Sequence, residues 1–188
     1  MMPIIEKYEV RLMETSDLNQ VLEWRNSLRI RASMYSDHII SMDAHQAWFE
    51  RIQHDPSITY LIFEFENKPV GVVNFKLDDS HHRAYWGFYL GSDDLPKGSG
   101  TVMGYMGCNY VFETLSIRKL CGEAFAFNQD SVRFHQKLGF TQEGLLKQHV
   151  LKNDHYEDVI LFGQLDEQWK LNKEMVYQLI MKTNTKGE

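Results

Sequence analysis

The feature that most constrains this chain is a strand that runs into a glycine-containing loop and then into a helix. An apolar strand ends at Leu90, a turn-rich stretch follows, and Lys97-Gly98-Ser99-Gly100-Thr101 leads into an apolar helix. Glycines let the main chain approach a bulky anion, and the free N–H groups of a first helical turn point at its oxygen atoms. The pattern predicts a phosphate-binding junction, and a simple strand-to-helix turn remains the alternative.

The composition indicates one domain with its own core. The chain has 188 residues, of which 43% are hydrophobic and 24% charged, and this is short for two domains. We expect a single domain over residues 1–188 with a C-terminal helix at about 165–182. The 20 basic and 26 acidic residues give a formal net charge of −6, which disfavours nucleic acid as a partner. No secretory leader or membrane span is evident, so we expect a cytoplasmic protein that binds no membrane.

Metal and disulfide chemistry have no support in the sequence. Cys108 and Cys121 are isolated, without CxxC or Cys/His spacing, so neither a zinc site nor a disulfide framework is predicted. Asp93 and Asp94 have no third ligand at a useful spacing and are expected to cap turns. We expect no metal.

Strand and helix patterns alternate along the whole chain and predict one mixed sheet covered by helices. Ser41 and Asn128 are predicted N-caps, and Gly139 is a predicted C-terminal glycine of a helix. The predicted strands are residues 8–13, 58–65, 69–77, 83–90, 120–127, 144–151 and 155–164. The predicted helices begin after 15–17, after Ser41 and after Asn128, and two more cover about 101–113 and 165–182.

This order of elements, together with two motifs, resembles the GNAT N-acetyltransferases over roughly residues 8 to 165. The motifs are Lys97-Gly98-Ser99-Gly100 and Asn128-(x)6-His135-Gln136-Lys137-Leu138-Gly139-Phe140. The resemblance implies an α/β (α+β) fold of the GNAT type, with a mixed central sheet flanked by helices. In that fold the fourth and fifth strands, here 83–90 and 119–126, splay apart to receive acetyl-CoA, the cosubstrate.

The same resemblance implies which residues bind acetyl-CoA. Its pyrophosphate would lie on the loop amides, and its pantetheine in the gap between the two strands. The first loop position is Leu95, where the family usually has Gln or Arg, so one side-chain contact is lost and the main-chain cradle is kept. The implied cofactor-binding residues are Leu90, Leu95, Lys97, Gly98, Ser99, Gly100, Thr101, Asn128 and Ser131.

The front half of the chain narrows the resemblance to a branch with ribosomal-protein and amino-sugar acetyltransferases. The segments 22–27 and 34–49 are most similar to the pseudaminic acid pathway enzymes, which acetylate the 4-amino group of a UDP-linked amino-dideoxy sugar. That similarity implies four nucleotide-sugar contacts, each of which also has an ordinary structural explanation: Arg25, His45, Lys76 and Tyr89. Such side chains suit a nucleotide diphosphate, which needs cations and a stacking surface.

Acyl transfer to an amine needs a neutral nucleophile, an anchored carbonyl oxygen and a proton for the leaving thiolate. His135 is the predicted acid, at a position where many relatives carry Tyr, because an imidazolium of pKa about 6.5 is a stronger acid than a phenol of about 10. A main-chain N–H near Leu90 would polarise the carbonyl group. Glu123 is a predicted water-mediated base. Structural roles for His135 and Glu123 remain the alternatives.

Three functions are therefore open. A nucleotide-sugar acetyltransferase predicts a basic acceptor pocket, whereas a ribosomal-protein-type N-terminal acetyltransferase predicts an acidic groove. A CoA-binding module without catalysis stays open because of Leu95 and His135. A homodimer is also left open.

Overall fold

Within residues 4–184, which the computed structural model describes, seven strands form one sheet covered by helices. The strands are β1 (Tyr8–Leu12), β2 (Ile58–Phe65), β3 (Lys68–Asp78), β4 (Arg83–Leu90), β5 (Lys119–Phe125), β6 (Thr141–Lys152) and β7 (His155–Leu165). The helices are α1 (Leu18–Asn26), α2 (Leu28–Arg31), α3 (Met42–Gln53), α4 (Ser99–Asn109), α5 (Gln129–Lys137) and α6 (Asp166–Asn184).

The strand order is β1-β2-β3-β4-β5-β7-β6, and every neighbouring pair is antiparallel except β4 and β5. The parallel pairing of β4 with β5 covers only Arg83 with Lys119, Ala84 with Leu120 and Tyr85 with Cys121. Beyond these pairs β4 continues along β3 while β5 continues along β7. The two strands therefore separate, and the predicted GNAT fold with its splayed sheet is confirmed.

Local sequence signals explain many of the element boundaries. The turn between β2 and β3 contains Glu66 and Asn67, with φ of 50° and 61°, as a two-residue turn matched to strand twist requires. Ser41 accepts the N–H of Ala44 at 3.2 Å at the start of α3. Asn128 accepts the N–H of Ser131 at 3.1 Å at the start of α5.

The sheet has an apolar core on each face. One core contains Phe63, Phe75 and Trp169 and packs against α4 and α6. The other contains Val21 of α1, Phe49 of α3 and strand residues such as Ile62. Side chains alternate along β2, so Leu61 and Phe63 face one core and Ile62 faces the other. Both faces of the sheet are covered, and the opening between β4 and β5 lies inside this layered structure.

Several predicted boundaries were wrong. The short helix α2 was not predicted, and α4 begins at Ser99 rather than Thr101 before it continues as a π-helical turn over Tyr110–Thr114. Strand β6 begins at Thr141 rather than at 144. In the part of the chain from 4 to 184, no helix is long and apolar enough to cross a membrane.

Candidate active site

A cavity of about 910 Å³ opens where β4 and β5 separate. It joins two regions, one at the start of α4 and α5 and the other between α1, α3 and β4. The lining includes Arg25, Arg29, Met34, Tyr35, His38, His45, Trp48, Tyr60, Trp86, Phe88, Tyr89, Leu90, Gly100, Glu123, Phe125, Asn128, Ser131 and Phe134.

The loop before α4 has the geometry of an anion site. Gly98 is the N-cap of α4 and has a φ of 98°, a conformation that strains any residue with a side chain. The buried Ser99 hydroxyl donates to the Pro96 carbonyl and contacts the Tyr8 hydroxyl, both at 2.6 Å. Within residues 4–184 the N–H groups of Gly100 and Thr101 have no protein acceptor. The first turn of α4 therefore presents free donors on a rigid loop, which suits a pyrophosphate group.

The structure brings only part of the predicted cofactor set to the cavity. Leu90, Gly100, Asn128 and Ser131 line it. Gly98 and Thr101 belong to the α4 start, and Ser99 holds the loop from inside. Neither of the remaining two side chains reaches the cavity. Leu95 packs against the core and Lys97 is exposed outside the cavity lining, so the loop would act through its main chain.

The main chain of β4 supplies further polar groups to the gap. The N–H of Gly91 donates to the Val70 carbonyl at 2.8 Å, on the β3 side. Because hydrogen-bonding direction alternates along an antiparallel strand, the main chain of Trp86, Phe88 and Leu90 faces the opposite side, towards β5. After Tyr85, β5 no longer pairs with β4. The Tyr85–Cys121 pairing uses the Trp86 N–H, and the Leu90 carbonyl accepts from Arg29 at 3.1 Å. The main chain of Phe88 and the N–H of Leu90 are therefore the groups available to a ligand that enters the gap.

His135 is fully buried and its two ring nitrogens are both engaged. Nδ1 lies 2.8 Å from the Ser131 carbonyl, so Nδ1 carries the proton, and Nε2 lies 3.2 Å from the indole Nε1 of Trp86, which donates to it. The ring stacks on Phe162 with 4.4 Å between centroids. Burial lowers the pKa of His135 to about 4. This geometry argues against the predicted acid role, because the imidazole is neutral and has no free proton to give.

The region of the cavity between α1, α3 and β4 is the predicted site of the acceptor substrate and is called the acceptor half. It carries two polar groups without partners. Arg25 uses Nη2 to donate to the Ser36 carbonyl at 2.9 Å, while Nη1 is buried without a partner. Nε2 of His45 is also buried without a partner, and His45 is 3% exposed. Burial lowers the pKa of Arg25 and that of His45, which a main-chain contact with Leu18 partly offsets. Arg25 stays charged at neutral pH because its reference pKa is above 12.

Aromatic rings form the wall beside these two residues. The ring of His45 stacks on Trp48 at 4.9 Å and 17°, and Trp48 meets Tyr60 edge-on at 4.9 Å and 84°. Tyr89 closes the same wall, and burial raises its pKa while Arg25 opposes the rise. The predicted contacts Arg25, His45 and Tyr89 are thus brought together. Tryptophan and tyrosine faces here provide a stacking surface for a planar or sugar ring.

Lys76 is not part of this group. It is exposed, does not line the cavity, and pairs across the sheet with Tyr85, where β4 and β5 are still bonded. It therefore lies at the closed end of the gap, and its predicted role has no support in the geometry. Arg29, which the sequence analysis missed, donates to the Leu90 and Gly91 carbonyls at 3.1 and 2.9 Å and pairs with Asp93 at 2.9 Å.

Glu123 projects from β5 into the cavity beyond the last residue paired with β4. The hydroxyl of Tyr35, from the segment between α2 and α3, donates to its Oε2. Tyr35 lies in the 34–49 segment, and no local sequence pattern connects it with Glu123. Over residues 4–184, no group of three His, Cys, Asp or Glu side chains could hold a metal ion.

Comparison with known proteins places the chain among acetyltransferases. The family model described as acetyltransferase (GNAT) domain matches residues 8–141. An uncharacterized N-acetyltransferase, YokL, from the SPbeta prophage of Bacillus subtilis strain 168 is 29% identical over 127 residues, 66% of this chain and 71% of that protein. Spermidine N(1)-acetyltransferase of Escherichia coli strain K12 is 21% identical over 182 residues, covering 96% and 98%.

Among solved structures, the chain is similar to spermidine N-acetyltransferase from Vibrio cholerae in complex with CoA and spermine. The TM-score is 0.84 at 20% identity, over 88% of this chain and 99% of that one. At this identity the likeness concerns the fold, which agrees with the sheet order and the gap described above.

Proposed function

Because this chain belongs to the GNAT acetyltransferase family, we propose that it transfers the acetyl group of acetyl-CoA to the 4-amino group of a UDP-linked amino-dideoxy sugar. The family membership makes the protein an acetyl-CoA-dependent N-acetyltransferase. The nucleotide-sugar acceptor is the proposed part, as is a place in the pseudaminic acid pathway. The same membership disfavours the alternative of a CoA-binding module without catalysis.

The observation that carries the proposal is that Arg25 and His45, each with one buried nitrogen that has no protein partner, line the same cavity. A buried polar group without a partner costs about 1–3 kcal/mol, and a side-chain shift that brings either nitrogen to an oxygen atom of a bound acceptor would remove that cost. A diphosphate suits the Arg25 guanidinium, because its planar donors match phosphate oxygens. The rings of Trp48, Tyr60 and Tyr89 would pack against the sugar or the base.

A polyamine acceptor fits this half of the cavity poorly. Spermidine, the substrate in the names of several relatives, is a polycation, and its recognition calls for carboxylates. Among the described residues that line the cavity, the carboxylates are Glu123 and Asp130. Asp130 pairs with Arg133 at 2.6 Å, and the α1–α3 side presents Arg25 and two histidines.

The positive charge of Arg25 also disfavours the N-terminus of a basic protein as the acceptor. Basic ribosomal proteins would require an acidic acceptor groove, whereas this wall contains a buried guanidinium. We therefore rank this acceptor below the sugar nucleotide. Location in the cytoplasm, a homodimer and the absence of a metal all remain predictions.

The decisive experiment is an acceptor panel with acetyl-CoA, in which CoA release is measured. The panel contains a UDP-4-amino-4,6-dideoxy sugar, a UDP-2-amino sugar, spermidine and a basic N-terminal peptide. We expect the UDP-4-amino sugar to give the highest kcat/KM by at least tenfold. A preference for spermidine or the peptide would contradict the proposal and leave the acetyltransferase activity intact.

A matched pair of variants locates the acceptor. Arg25→Ala should raise the KM for the sugar nucleotide by roughly 10- to 100-fold, since a charged hydrogen bond contributes about 1.5–3 kcal/mol, and should leave the KM for acetyl-CoA within twofold. Arg51→Ala, at an exposed residue of α3 outside the cavity, should change neither. Equal losses for both substrates with Arg25→Ala would indicate damage to the fold instead.

A further inference from the structure

We propose that Tyr35 is a catalytic residue, which works with Glu123 as a proton-transfer pair at the mouth of the gap between β4 and β5. The inference goes beyond the identity of the acceptor, because it depends on acetyl transfer to an amine and not on which amine is used. It assigns the acid to a residue that the family resemblance does not indicate.

The contact joins two distant parts of the chain. The Tyr35 hydroxyl donates to Oε2 of Glu123, 88 residues away in sequence. The Tyr35 ring meets Phe125 edge-on, with 5.3 Å between centroids and 74° between planes. All three side chains line the same cavity. Glu123 is two residues beyond Cys121, the last residue of β5 paired with β4. The pair therefore lies on the β5 side of the gap into which the free polar groups of β4 point.

The segment that carries Tyr35 is held in place from three directions. The ammonium group of Lys152, at the end of β6 and only 7% exposed, donates to the Met34 carbonyl at 2.9 Å and to the Arg31 carbonyl at 3.3 Å. Arg31 donates to the Asp37 carbonyl at 2.6 Å. Asn26 exchanges two hydrogen bonds of 2.8 Å with the main chain of Ile40. These bonds fix the main chain on both sides of Tyr35, so its hydroxyl is preorganised.

The other candidate for the acid is unsuitable. His135 lies under the gap, but its single proton is bonded to Ser131 and its Nε2 accepts from Trp86. Tyr60 and Tyr89 belong to the acceptor wall beside Arg25. Tyr35 is a hydroxyl donor that lies in the gap and touches a carboxylate.

Tyr35 and Glu123 together accept and supply every proton that the reaction transfers. The lone pair of the amine forms the new C–N bond, and the carbon–sulfur bond breaks with its electron pair on sulfur. Glu123 takes the proton that the amine nitrogen loses. Once protonated, the Glu123 carboxyl group donates to the Tyr35 oxygen, which frees the Tyr35 hydroxyl proton to pass to the sulfur. The proton of Glu123 then moves to the Tyr35 oxygen along their hydrogen bond. Both residues end as they began, and the products are an amide and a thiol.

The electrostatics agree with this direction of transfer. Burial and the neighbouring Glu123 carboxylate raise the pKa of Tyr35, so the phenol is protonated at neutral pH and its phenolate would regain a proton readily. A phenol alone is a weaker acid than a thiol of pKa near 8.5. The protonated carboxyl group of Glu123 therefore supplies the driving force, and the two residues must act together.

The test compares Tyr35→Phe, Glu123→Gln and the double variant, with acetyl-CoA and whichever amine of the acceptor panel is acetylated. We expect kcat to fall by roughly 100-fold in each single variant, within the usual range for a lost acid or base. The KM values should change by less than threefold, and the Kd for CoA, measured by calorimetry, should be unchanged. The double variant should be no slower than the slower single one, because residues that act as a unit are not additive.

The control is Tyr156→Phe, at a 64% exposed tyrosine of β7 outside the cavity, which should match the wild type. Tyr35→Phe keeps the ring on Phe125, and its Tm should lie within about 2 °C of the wild type. An unchanged kcat in Tyr35→Phe, a loss confined to acceptor KM, or additive losses in the double variant would each overturn the proposal. None of these outcomes would bear on the sugar acceptor, which the panel tests separately.

Discussion

The indole N–H of Trp86 donates to Nε2 of His135 across 3.2 Å, directly beneath the point where β4 and β5 separate. Trp86 is the first β4 residue beyond the paired segment, and His135 belongs to the helix whose N-terminus lines the cavity. The bond therefore ties the open part of the sheet to α5. It also fixes His135 as a neutral ring, with its proton on Nδ1 and bonded to Ser131.

This relationship predicts that His135 contributes to structure more than to proton transfer. His135→Gln can keep an acceptor for Trp86 and a donor for Ser131, and we expect its kcat to stay within about threefold of the wild type. His135→Leu removes both bonds from a fully buried site and should lower the free energy of unfolding by about 2–4 kcal/mol. A loss of kcat above tenfold in a stably folded His135→Gln would restore the acid role for this residue.

Burial of the same imidazole predicts an acid-sensitive fold. The pKa of His135 is about 4 in the folded protein, against about 6.5 in an unfolded chain. Between these values the unfolded chain binds a proton that the folded chain does not, so stability is retained above pH 6.5 and lost as the pH falls towards 4. We expect a decline of up to about 3 kcal/mol from this group, measured by urea unfolding at several pH values.

His135→Gln is the comparison for that measurement. It should have a smaller decline over the same pH window, and His45, whose pKa burial also lowers, contributes to the part that remains. Parallel stability curves for the two proteins would show that His135 is not the titrating group.

Gly122 gives a test of the packing around this bond. A Cβ on Gly122 would lie 2.5 Å from Nε2 of His135 and 2.7 Å from Nε1 of Trp86, closer than atoms approach without rearrangement. Gly122→Ala should lower the free energy of unfolding by about 1–3 kcal/mol, as overpacking does. At Gly144 the nearest atom to a new Cβ, of the Leu161 side chain, is 3.5 Å away. Gly144→Ala should therefore have little effect, and equal losses would contradict the explanation.

The sequence predicts features that depend on neighbouring residues and misses features that depend on residues far apart in the chain. Ser41 and Asn128 cap helices through bonds to N–H groups three residues away, and Gly139 has the predicted positive φ of 85°. Each depends on a few adjacent residues, so a local pattern is sufficient. The separation of β4 from β5 was predicted from the family resemblance and not from a local pattern. It arises because β5 pairs with β7 along its whole length and with β4 at only three positions.

The features that the sequence could not indicate involve long-range contacts. Nothing near His135 in the sequence indicates that Trp86 and Phe162 enclose it, and its local pattern was compatible with an exposed helix face. Lys76 is close to the acceptor residues by strand alignment, but the register with Tyr85 puts it at the closed end of the gap. The contact of Tyr35 with Glu123 likewise depends on how an irregular segment crosses β5. Tertiary packing decides all three.

The last prediction concerns the loop before α4. Gly98 has a φ of 98°, which costs a residue with a Cβ about 1–2 kcal/mol, and the methyl carbon of Thr183 would lie 3.3 Å from that Cβ. Gly98→Ala should shift the loop and misalign the N–H groups of Gly100 and Thr101. We expect the Kd for CoA to rise at least tenfold, which corresponds to about 1.4 kcal/mol. Calorimetry with CoA measures this without any acceptor.

Gly139→Ala is the matched control, since Gly139 also has a positive φ, of 85°, at the other end of α5 from Asn128. It should lose stability and keep its CoA affinity, and an unaltered Kd in Gly98→Ala would contradict the loop assignment.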